Sequence, residues 1–224
     1  MIDSNAKIQS ELHKVLSIKH LSESIFIIKI ERKGINFKAG QHIGVGPANS
    51  IYTREYSIYS AEDDDDLEIL VKEVLNGFIS PLLKGIKQGD YLQVEEPRGY
   101  FSLPEQKSSE DKYLFVATGT GISPFHSFIK SYPDLKYNLL HGISFVNDAC
   151  ELEFYNPANL ALCTSKESNH NNFNGRVTQL LETLSLETTS HIFLCGNVNM
   201  INEVYDQMVT RKFPLNKIHS EVYF

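Results

Sequence analysis

Hydrophobic and polar positions follow two different patterns along the chain. Between residues 7 and 103, short β-type runs such as KVLSIKHL, SIFIIKIE and LEILVKEV are separated by turn residues, a spacing that predicts a small antiparallel barrel. The helical interruption SPLLKGIK has Ser80 as its expected cap and Pro81 at its first position. The aspartates at 63–66 stand between two strand runs and are interpreted as a solvated turn, with a metal site as the alternative.

The second half of the chain alternates buried strands with helical segments. Apolar runs such as KYLFVAT and HIFLCG are followed by stretches of helical pattern such as HSFIKSY and NMINEVYDQMVTRK. This alternation predicts a parallel sheet covered by helices on both faces. The polar stretch PEQKSSEDK at 104–112 is typical of a linker. We therefore predict a two-domain protein, with an antiparallel β-barrel at 1–103 and an α/β parallel-sheet domain at 113–224.

Charge and cysteine content narrow the class of protein. The 224 residues carry 28 acidic and 21 basic side chains, a net charge of −7, which argues against nucleic acid or an anionic membrane as the main partner. Cys150, Cys163 and Cys195 are too few for a disulfide framework or for the four thiolates of a ferredoxin-type iron-sulfur cluster. The apolar runs have only strand length, the first residues lack a signal-peptide pattern, and the eight histidines lack metal-binding spacing. We expect a cytoplasmic protein without a bound metal.

Two glycine-containing turns are candidates for binding phosphate. Gly119 and Gly121 follow a buried strand and precede a helix, whose first N–H groups favour an anion. Pro124 stands where the GxGxxG fingerprint has its third glycine, so a purely structural turn remains an alternative. In the first half of the chain, residues 77–80 lead into a helix, and Arg54 offers a bidentate phosphate contact. Two such sites in two unrelated halves indicate two nucleotides.

A series of short motifs stands in a fixed order along the chain. They are RxYS at 54–57, GxxS at 77–80, TGTGxxP at 118–124, CGxxxM at 195–200 and the ending EVYF at 221–224. Together with FKAGQHIGV at residues 37 to 45, they span nearly the whole chain. The series resembles the ferredoxin-NADP reductase family, which implies FAD bound by the barrel and a nicotinamide dinucleotide bound by the second domain.

The resemblance also implies roles for single residues of the barrel. Arg54 would bind the flavin diphosphate, Tyr56 would pack on one face of the isoalloxazine, and Ser57 would hydrogen-bond near N5, the atom that accepts hydride. The implied FAD site is completed by Glu55, Leu70, Val71, Lys72, Gly77, Phe78, Ile79, Ser80 and Thr120. Without its motif, Tyr56 would fit equally well as a core residue.

The end of the chain resembles the part of the family that touches the reacting atoms. Tyr223 resembles the terminal aromatic that stacks on the other flavin face and occupies the place of the nicotinamide, although Phe224 follows it and is the alternative ring. Ser57, Cys195 and Glu221 would surround the contact between the nicotinamide and the flavin. Cys195 is interpreted as a positioning side chain rather than a nucleophile, because no partner that would activate it is evident. The alternative for EVYF is a plain closing strand.

Coenzyme preference depends on how the 2′-phosphate of NADP is recognised. The sequence TSKE at 164–167 followed by Gly175-Arg176 resembles the SRE and GR pattern of NADP-using members, with Lys166 in place of the usual arginine. Ser144 stands where bacterial relatives commonly have an arginine. We predict NADPH over NADH with reduced discrimination. The implied NADP site comprises Thr118, Gly119, Gly121, Ser165, Lys166, Arg176, Cys195 and Gly196.

The function implied by the resemblance is an FAD-dependent reductase that passes electrons from NADPH to ferredoxin or flavodoxin. Three alternatives remain at this point: a reductase that uses free flavin as substrate, the electron-transfer subunit of an oxygenase complex, and a binding module that has lost catalysis. A monomer is expected, and an acidic carrier would dock on a local basic patch that includes Lys72, Lys84 and Lys87.

Overall fold

The computed structural model describes residues 12–48, 50, 52–105, 108–168 and 172–223. Contacts between residues divide the chain into two compact units. Unit 1 contains the described residues up to Ser102 together with the segment His126–Ser131. Unit 2 contains Leu103–Phe125 and the described residues from Tyr132 onward. The segment His126–Ser131 therefore packs with unit 1 although it follows the glycine-rich motif of the second half.

Unit 1 is a six-stranded antiparallel sheet that closes on itself. Its order is β4-β3-β6-β1-β2-β5, and a bridge links Ile58, the residue after β4, to Ile69 on β5. The N–H of Tyr59 strengthens this closure by donating to the carbonyl of Glu68 at 2.7 Å. The strands are β1 (Leu12–His20), β2 (Ile25–Glu31), β3 (His42–Pro47), β4 (Arg54–Ser57), β5 (Asp66–Lys72) and β6 (Tyr91–Val94). The predicted antiparallel barrel is confirmed.

Alternating apolar side chains of these strands fill the barrel. Completely buried members of its core include Val15, Phe26, Ile28, Ile30, Ile43, Val45, Leu67, Ile69, Val71 and Leu92. On β2, β3 and β5 these residues stand at every second position, as expected for strands with one face toward a core. The core holds the strand ends, and thereby the RxYS segment, in place.

The short helix α1 (Ile79–Lys84) begins differently from the sequence prediction. Phe78 occupies the position before the helix and makes no side-chain capping bond. The buried hydroxyl of Ser80 instead accepts a hydrogen bond from the N–H of Val74 at 2.9 Å. The prediction of Ser80 as the cap was therefore wrong, because its side chain ties the helix back to the preceding turn.

The aspartate block at 63–66 forms contacts within unit 1. One carboxylate oxygen of Asp64 accepts from the N–H of Ala61 at 2.8 Å and from the ammonium of Lys130 at 2.6 Å. Asp66 lies 3.8 Å from the ammonium of Lys29. These pairs show that the block orders its own turn. Over the described parts of the chain, no group of three or more His, Cys, Asp or Glu side chains is placed to hold a metal ion.

Unit 2 is a six-stranded parallel sheet with the order β10-β9-β8-β7-β11-β12. Its strands are β7 (Lys112–Thr118), β8 (Lys136–Ile143), β9 (Leu160–Thr164), β10 (Phe173–Asn174), β11 (His191–Asn197) and β12 (Ile218–Tyr223). Its helices are α2 (Ser123–Ser131), of which the first three residues belong to this unit, α3 (Val177–Thr183) and α4 (Val198–Thr210). The predicted α/β parallel sheet is confirmed.

Apolar layers cover both faces of the parallel sheet. On one face, Leu114, Val116 and Leu194 pack with side chains of α3 and α4. On the other face, the ring of Phe125 stacks on Phe115 with 4.7 Å between the ring centroids. Successive strands run outward in one direction from β7 to β10, whereas β11 and β12 lie on its other side. The strand order therefore reverses between β7 and β11, the position at which open parallel sheets bind ligands.

Among the helices of the described residues, none has the length and apolar character needed to cross a membrane.

Candidate functional site

The first group of predicted site residues lies on the surface of the barrel in unit 1. Arg54 and Glu55 are exposed, Tyr56 is half-buried against the core, and Ser57 is buried. The guanidinium of Arg54 donates to the carbonyl of Thr53 at 3.1 Å. Burial raises the pKa of Tyr56 to about 12, and nearby Arg54 opposes that rise. Tyr56 therefore remains a neutral phenol at neutral pH.

Strand β5 and the turn before α1 complete this group, which we call the barrel site (Arg54–Ser57, Leu70–Lys72 and Gly77–Ser80). The side chains of Leu70 and Val71 are both buried, that of Val71 in the barrel core, so it is their backbone groups that can contact a ligand. Phe78 is 60% exposed, and its ring meets that of Tyr52, itself 57% exposed, edge-on at 5.5 Å. Tyr52 was not among the predicted residues. The sequence feature that could have identified Tyr52 as a site residue is that it is an aromatic residue two positions before Arg54.

The second group lies where the strand order reverses in unit 2, at the carboxyl ends of β7 and β11. The glycine loop, residues 118–121, packs against Cys195 and Gly196 near the end of β11. A Cβ at Gly121 would collide with the carbonyl of Cys195 and the Cα of Gly196, so glycine is needed there for packing. The hydroxyl of Thr118 accepts a hydrogen bond from the N–H of Asn197 at 2.8 Å.

Gly119 differs from Gly121 in what surrounds it. It has a φ of +55°, and a Cβ built on it would meet no atom within 4 Å. The space beside this residue is open, which allows a ligand to approach the backbone. His141 is fully buried and places Nε2 2.9 Å from the carbonyl oxygen of Gly119.

Strand register brings two more predicted residues, Glu221 and Tyr223, to this place. Cys195 pairs with Glu221, and Asn197 pairs with Tyr223, in the parallel ladder between β11 and β12. Cys195 is completely buried. Burial raises its pKa well above the usual value, the charge of Glu221 raises it further, and a hydrogen bond with Tyr223 lowers it. Cys195 is thus a neutral thiol. Phe224 lies outside the described residues.

These residues form the sheet site (Thr118–Gly121, Cys195, Gly196, Glu221 and Tyr223). Thr120, predicted to complete the FAD site, is part of the glycine loop in unit 2. Because each site is assembled from neighbouring strand ends within its own unit, the fold brings together residues that are far apart in the chain. In the sheet site, the neutral thiol of Cys195 and the carboxyl group of Glu221 stand on adjacent strands.

The residues predicted to recognise a 2′-phosphate lie around the end of β9 and the start of α3. The backbone N–H of Ser165 donates to the carbonyl of Ile143 at 3.0 Å, and Lys166 has an exposed side chain. A guanidinium nitrogen of Arg176 lies 3.6 Å from a carboxylate oxygen of Glu203 on α4. Glu203 was not predicted, since nothing in the local pattern relates it to Arg176.

Both halves of the chain match models of oxidoreductase domains. Residues 12–103 match the oxidoreductase FAD-binding domain, and residues 115–206 match the oxidoreductase NAD-binding domain.

Relatives over most of the chain include reductases and an electron-transfer component. The chain is 30% identical over 214 residues to the flavodoxin/ferredoxin-NADP reductase of Escherichia coli strain K12, with 85% of this chain and 86% of that protein covered. It is 26% identical over 206 residues to the toluate 1,2-dioxygenase electron transfer component of Pseudomonas putida, with 85% of this chain and 60% of that protein covered. The crystal structure of a ferredoxin NADP+ reductase from Neisseria gonorrhoeae with bound FAD and NADP matches with a TM-score of 0.85 at 25% identity, over 95% of this chain and 98% of that one.

Proposed function

Because this chain belongs to the ferredoxin-NADP reductase family of oxidoreductases, we propose that it moves a hydride from NADPH to N5 of FAD and passes the electrons to a ferredoxin or flavodoxin. The observation that carries the proposal is the sheet site, where Cys195 and Glu221 are in register on adjacent strand ends beside an open glycine loop. We assign FAD binding to residues 1–103 and coenzyme binding to residues 113–224.

The chemistry of the barrel site fits FAD. Arg54 offers an exposed cation for the diphosphate, and the exposed rings of Tyr52 and Phe78 offer an apolar surface for an aromatic ligand. Tyr56 would pack on one face of the isoalloxazine, and Ser57 would hydrogen-bond near N5. Contacts would be completed by Glu55, by Leu70, Val71 and Lys72, by Gly77, Phe78, Ile79 and Ser80, and by Thr120.

The sheet site fits a nicotinamide dinucleotide. The open space at Gly119 admits a phosphate close to the backbone, and Thr118, Gly121 and Gly196 hold the loop in that shape. Ser165, Lys166 and Arg176 would contact the 2′-phosphate. We propose a preference for NADPH over NADH that is weaker than with two arginines, because Lys166 lacks the planar fork of a guanidinium and Ser144 has no charge.

The residues of the sheet site act by positioning and by holding protons. When bound, FAD accepts a hydride at N5 and releases electrons one at a time. Cys195, a small neutral thiol, would form a wall against which the nicotinamide ring is oriented. Glu221 would fix the nicotinamide or relay a proton. Tyr223 would cover the flavin face that the nicotinamide needs, so it must move aside in each cycle.

An electron carrier would dock on basic side chains of unit 1. Lys72 and Lys87 are exposed. Lys84, predicted as a third member of the patch, pairs with Glu73 at 2.5 Å and contributes little net charge. Because charge steering weakens with salt, the rate of carrier reduction should fall as ionic strength rises, and more steeply in the native protein than in a Lys72→Ala variant.

An absorbance spectrum of the purified protein tests the proposal most directly. We expect a flavin band that bleaches on anaerobic addition of NADPH and returns when an oxidised carrier is added. Absence of a flavin band, together with no bleaching after FAD is supplied, would exclude this function. A kcat/KM for NADH equal to or above that for NADPH would exclude the coenzyme preference alone.

A second candidate function is that of a reductase component in an oxygenase system. The observation that favours it is the similarity to the electron transfer component of toluate 1,2-dioxygenase, although the chain spans only 60% of that protein. Co-purification with an oxygenase would support it. A colourless protein that reduces added FMN would instead indicate a reductase of free flavin.

A further inference from the structure

A buried histidine contacts the glycine loop of unit 2 by a hydrogen bond to the backbone. His141, on β8, is fully buried, and its Nε2 lies 2.9 Å from the carbonyl oxygen of Gly119. A carbonyl oxygen only accepts, so Nε2 carries the proton and donates it. Burial lowers the pKa of His141 to about 4, while the bond to Gly119 and the charge of Asp148 oppose that shift. The imidazole is therefore neutral at neutral pH.

The neighbours of His141 in the sheet explain how it reaches the loop. His141 is in register with Ala117 on β7, which lies directly before the glycine loop at residues 118–121. Its Nδ1 is buried and has no hydrogen-bond partner in the described part of the chain. An apolar side chain would fill this space without leaving a polar atom unsatisfied. The presence of histidine is therefore explained by its bond to Gly119 rather than by packing alone.

The bond to Gly119 fixes the direction of one peptide group. In a trans peptide, the carbonyl of one residue and the N–H of the next point in opposite directions, and no cis peptide occurs among the described residues. With the Gly119 carbonyl held toward the buried imidazole, the N–H of Thr120 points to the opposite side. A phosphate is repelled by a carbonyl oxygen and bound by an N–H.

We propose that His141 is a positioning residue that keeps the Gly119 carbonyl away from the coenzyme and presents the Thr120 N–H to its diphosphate. The proposal rests on the proposed function, since it concerns the same coenzyme. NADPH and NADH share the diphosphate and differ only in the 2′-phosphate. Loss of the His141 contact should therefore weaken the binding of NADPH and of NADH by the same factor. A change at Lys166 or Arg176 should instead weaken mainly the binding of NADPH.

The test compares His141→Leu, which removes the donor, with His141→Gln, whose side-chain amide offers a donor at a similar reach. For His141→Leu we expect the KM for NADPH and for NADH to rise by the same factor, about 5- to 10-fold. The kcat should change less than about 2-fold, and the calorimetric Kd for NADP+ should rise with the KM. His141→Gln should restore most of the affinity.

Leu139→Ala is the matched control, because Leu139 is also completely buried on β8 and its truncation should lower Tm without changing the KM for either coenzyme. Three results would each overturn the proposal: NADP+ affinity retained in His141→Leu, equal loss in the Gln and Leu variants, or the same rise in KM in Leu139→Ala. Failure of the proposed function would look different, because the native protein would then bind neither coenzyme.

Discussion

The barrel site of unit 1 and the sheet site of unit 2 are built from different parts of the chain. In the barrel site, the groups available to a ligand are largely side chains on the surface, such as Arg54 and Phe78. In the sheet site, they are largely backbone groups of a glycine loop, supported by buried residues such as Cys195 and His141. One site presents exposed functional groups, and the other presents a shaped backbone.

This difference predicts how each site responds to substitution. A surface side chain that makes a charged contact can be removed without disturbing the fold, and its whole contribution to binding is then lost. Backbone N–H groups are lost only on substitution by proline, so the glycine loop of the sheet site changes mainly through the residues that hold it. Single substitutions should therefore have large effects on binding in unit 1 and graded effects in unit 2.

Arg54→Ala should give the largest effect and tests the side-chain character of the barrel site. Loss of a charge-assisted contact to the diphosphate should weaken FAD binding by about 10- to 100-fold, measured as flavin content after dialysis and as the Kd of the refolded apoprotein for FAD. Arg98→Ala is the control, because Arg98 is also an exposed arginine of unit 1 and pairs with Glu95 at 3.4 Å. Full FAD affinity in Arg54→Ala would show that the barrel site is misassigned.

Acidification should lower the stability of unit 2 more than that of unit 1. Burial is the main cause that lowers the pKa of His141, His191 and His219 in unit 2, and of His13 in unit 1. A lowered pKa means that the folded state binds fewer protons than the unfolded state, so stability is lost as pH falls below about 6.5. For His141, whose pKa is about 4, the loss between pH 7 and pH 5 is about 2 kcal/mol.

Hydrogen exchange followed by mass spectrometry at pH 7 and pH 5, corrected for the intrinsic rate, measures the two units separately. We expect protection in β8 and β11 to fall more than protection in β2 and β5. The variant His141→Gln should show a smaller change between the two pH values than the native protein. An equal loss of protection in both units would contradict the prediction.

The same contrast explains what sequence reasoning could find. The change from alternating to continuous apolar runs identified the barrel and the parallel sheet, because burial on one face or on both determines these patterns. Short motifs located Arg54 and the glycine loop, since their neighbours are local in the chain. The role of Ser80 was misjudged because capping depends on the geometry of a turn that the sequence does not specify.

Contacts between distant residues were the ones that the sequence could not provide. His141 lies 22 positions from Gly119, to which it is hydrogen-bonded, and Glu203 pairs with Arg176 from another helix. Neither residue belongs to the short motifs that located the two sites. Strand order and helix packing place both residues beside a predicted site, and only the structure shows this. The structure therefore added more residues to the description of unit 2 than a reading of the sequence could.

Tyr223→Ser should sharpen the comparison by removing the bulky side chain of the sheet site that we propose competes with the coenzyme. If the nicotinamide must displace this ring, removing it should tighten NADP+ binding by about 5-fold, measured by calorimetry, with flavin content unchanged. Tyr205→Ser is the control, because Tyr205 is an exposed tyrosine of the same unit on α4. Unchanged NADP+ affinity in Tyr223→Ser would show that Tyr223 is not the residue that stacks on the flavin.

Glu203→Gln should have the smallest effect, and it tests whether charged side chains matter at all in unit 2. The carboxylate of Glu203 lies 3.6 Å from Arg176 and would partly offset the positive charge that we propose Arg176 offers to the 2′-phosphate. The pair is exposed and screened by solvent, so its removal should raise the ratio of kcat/KM for NADPH over NADH by only about 2-fold.

Asp206→Asn, the same change of charge on the same helix, should leave the ratio unaltered. A fall in the ratio for Glu203→Gln would mean that Glu203 helps to hold Arg176 in its binding position. Side-chain placement would then matter in the sheet unit as it does in the barrel.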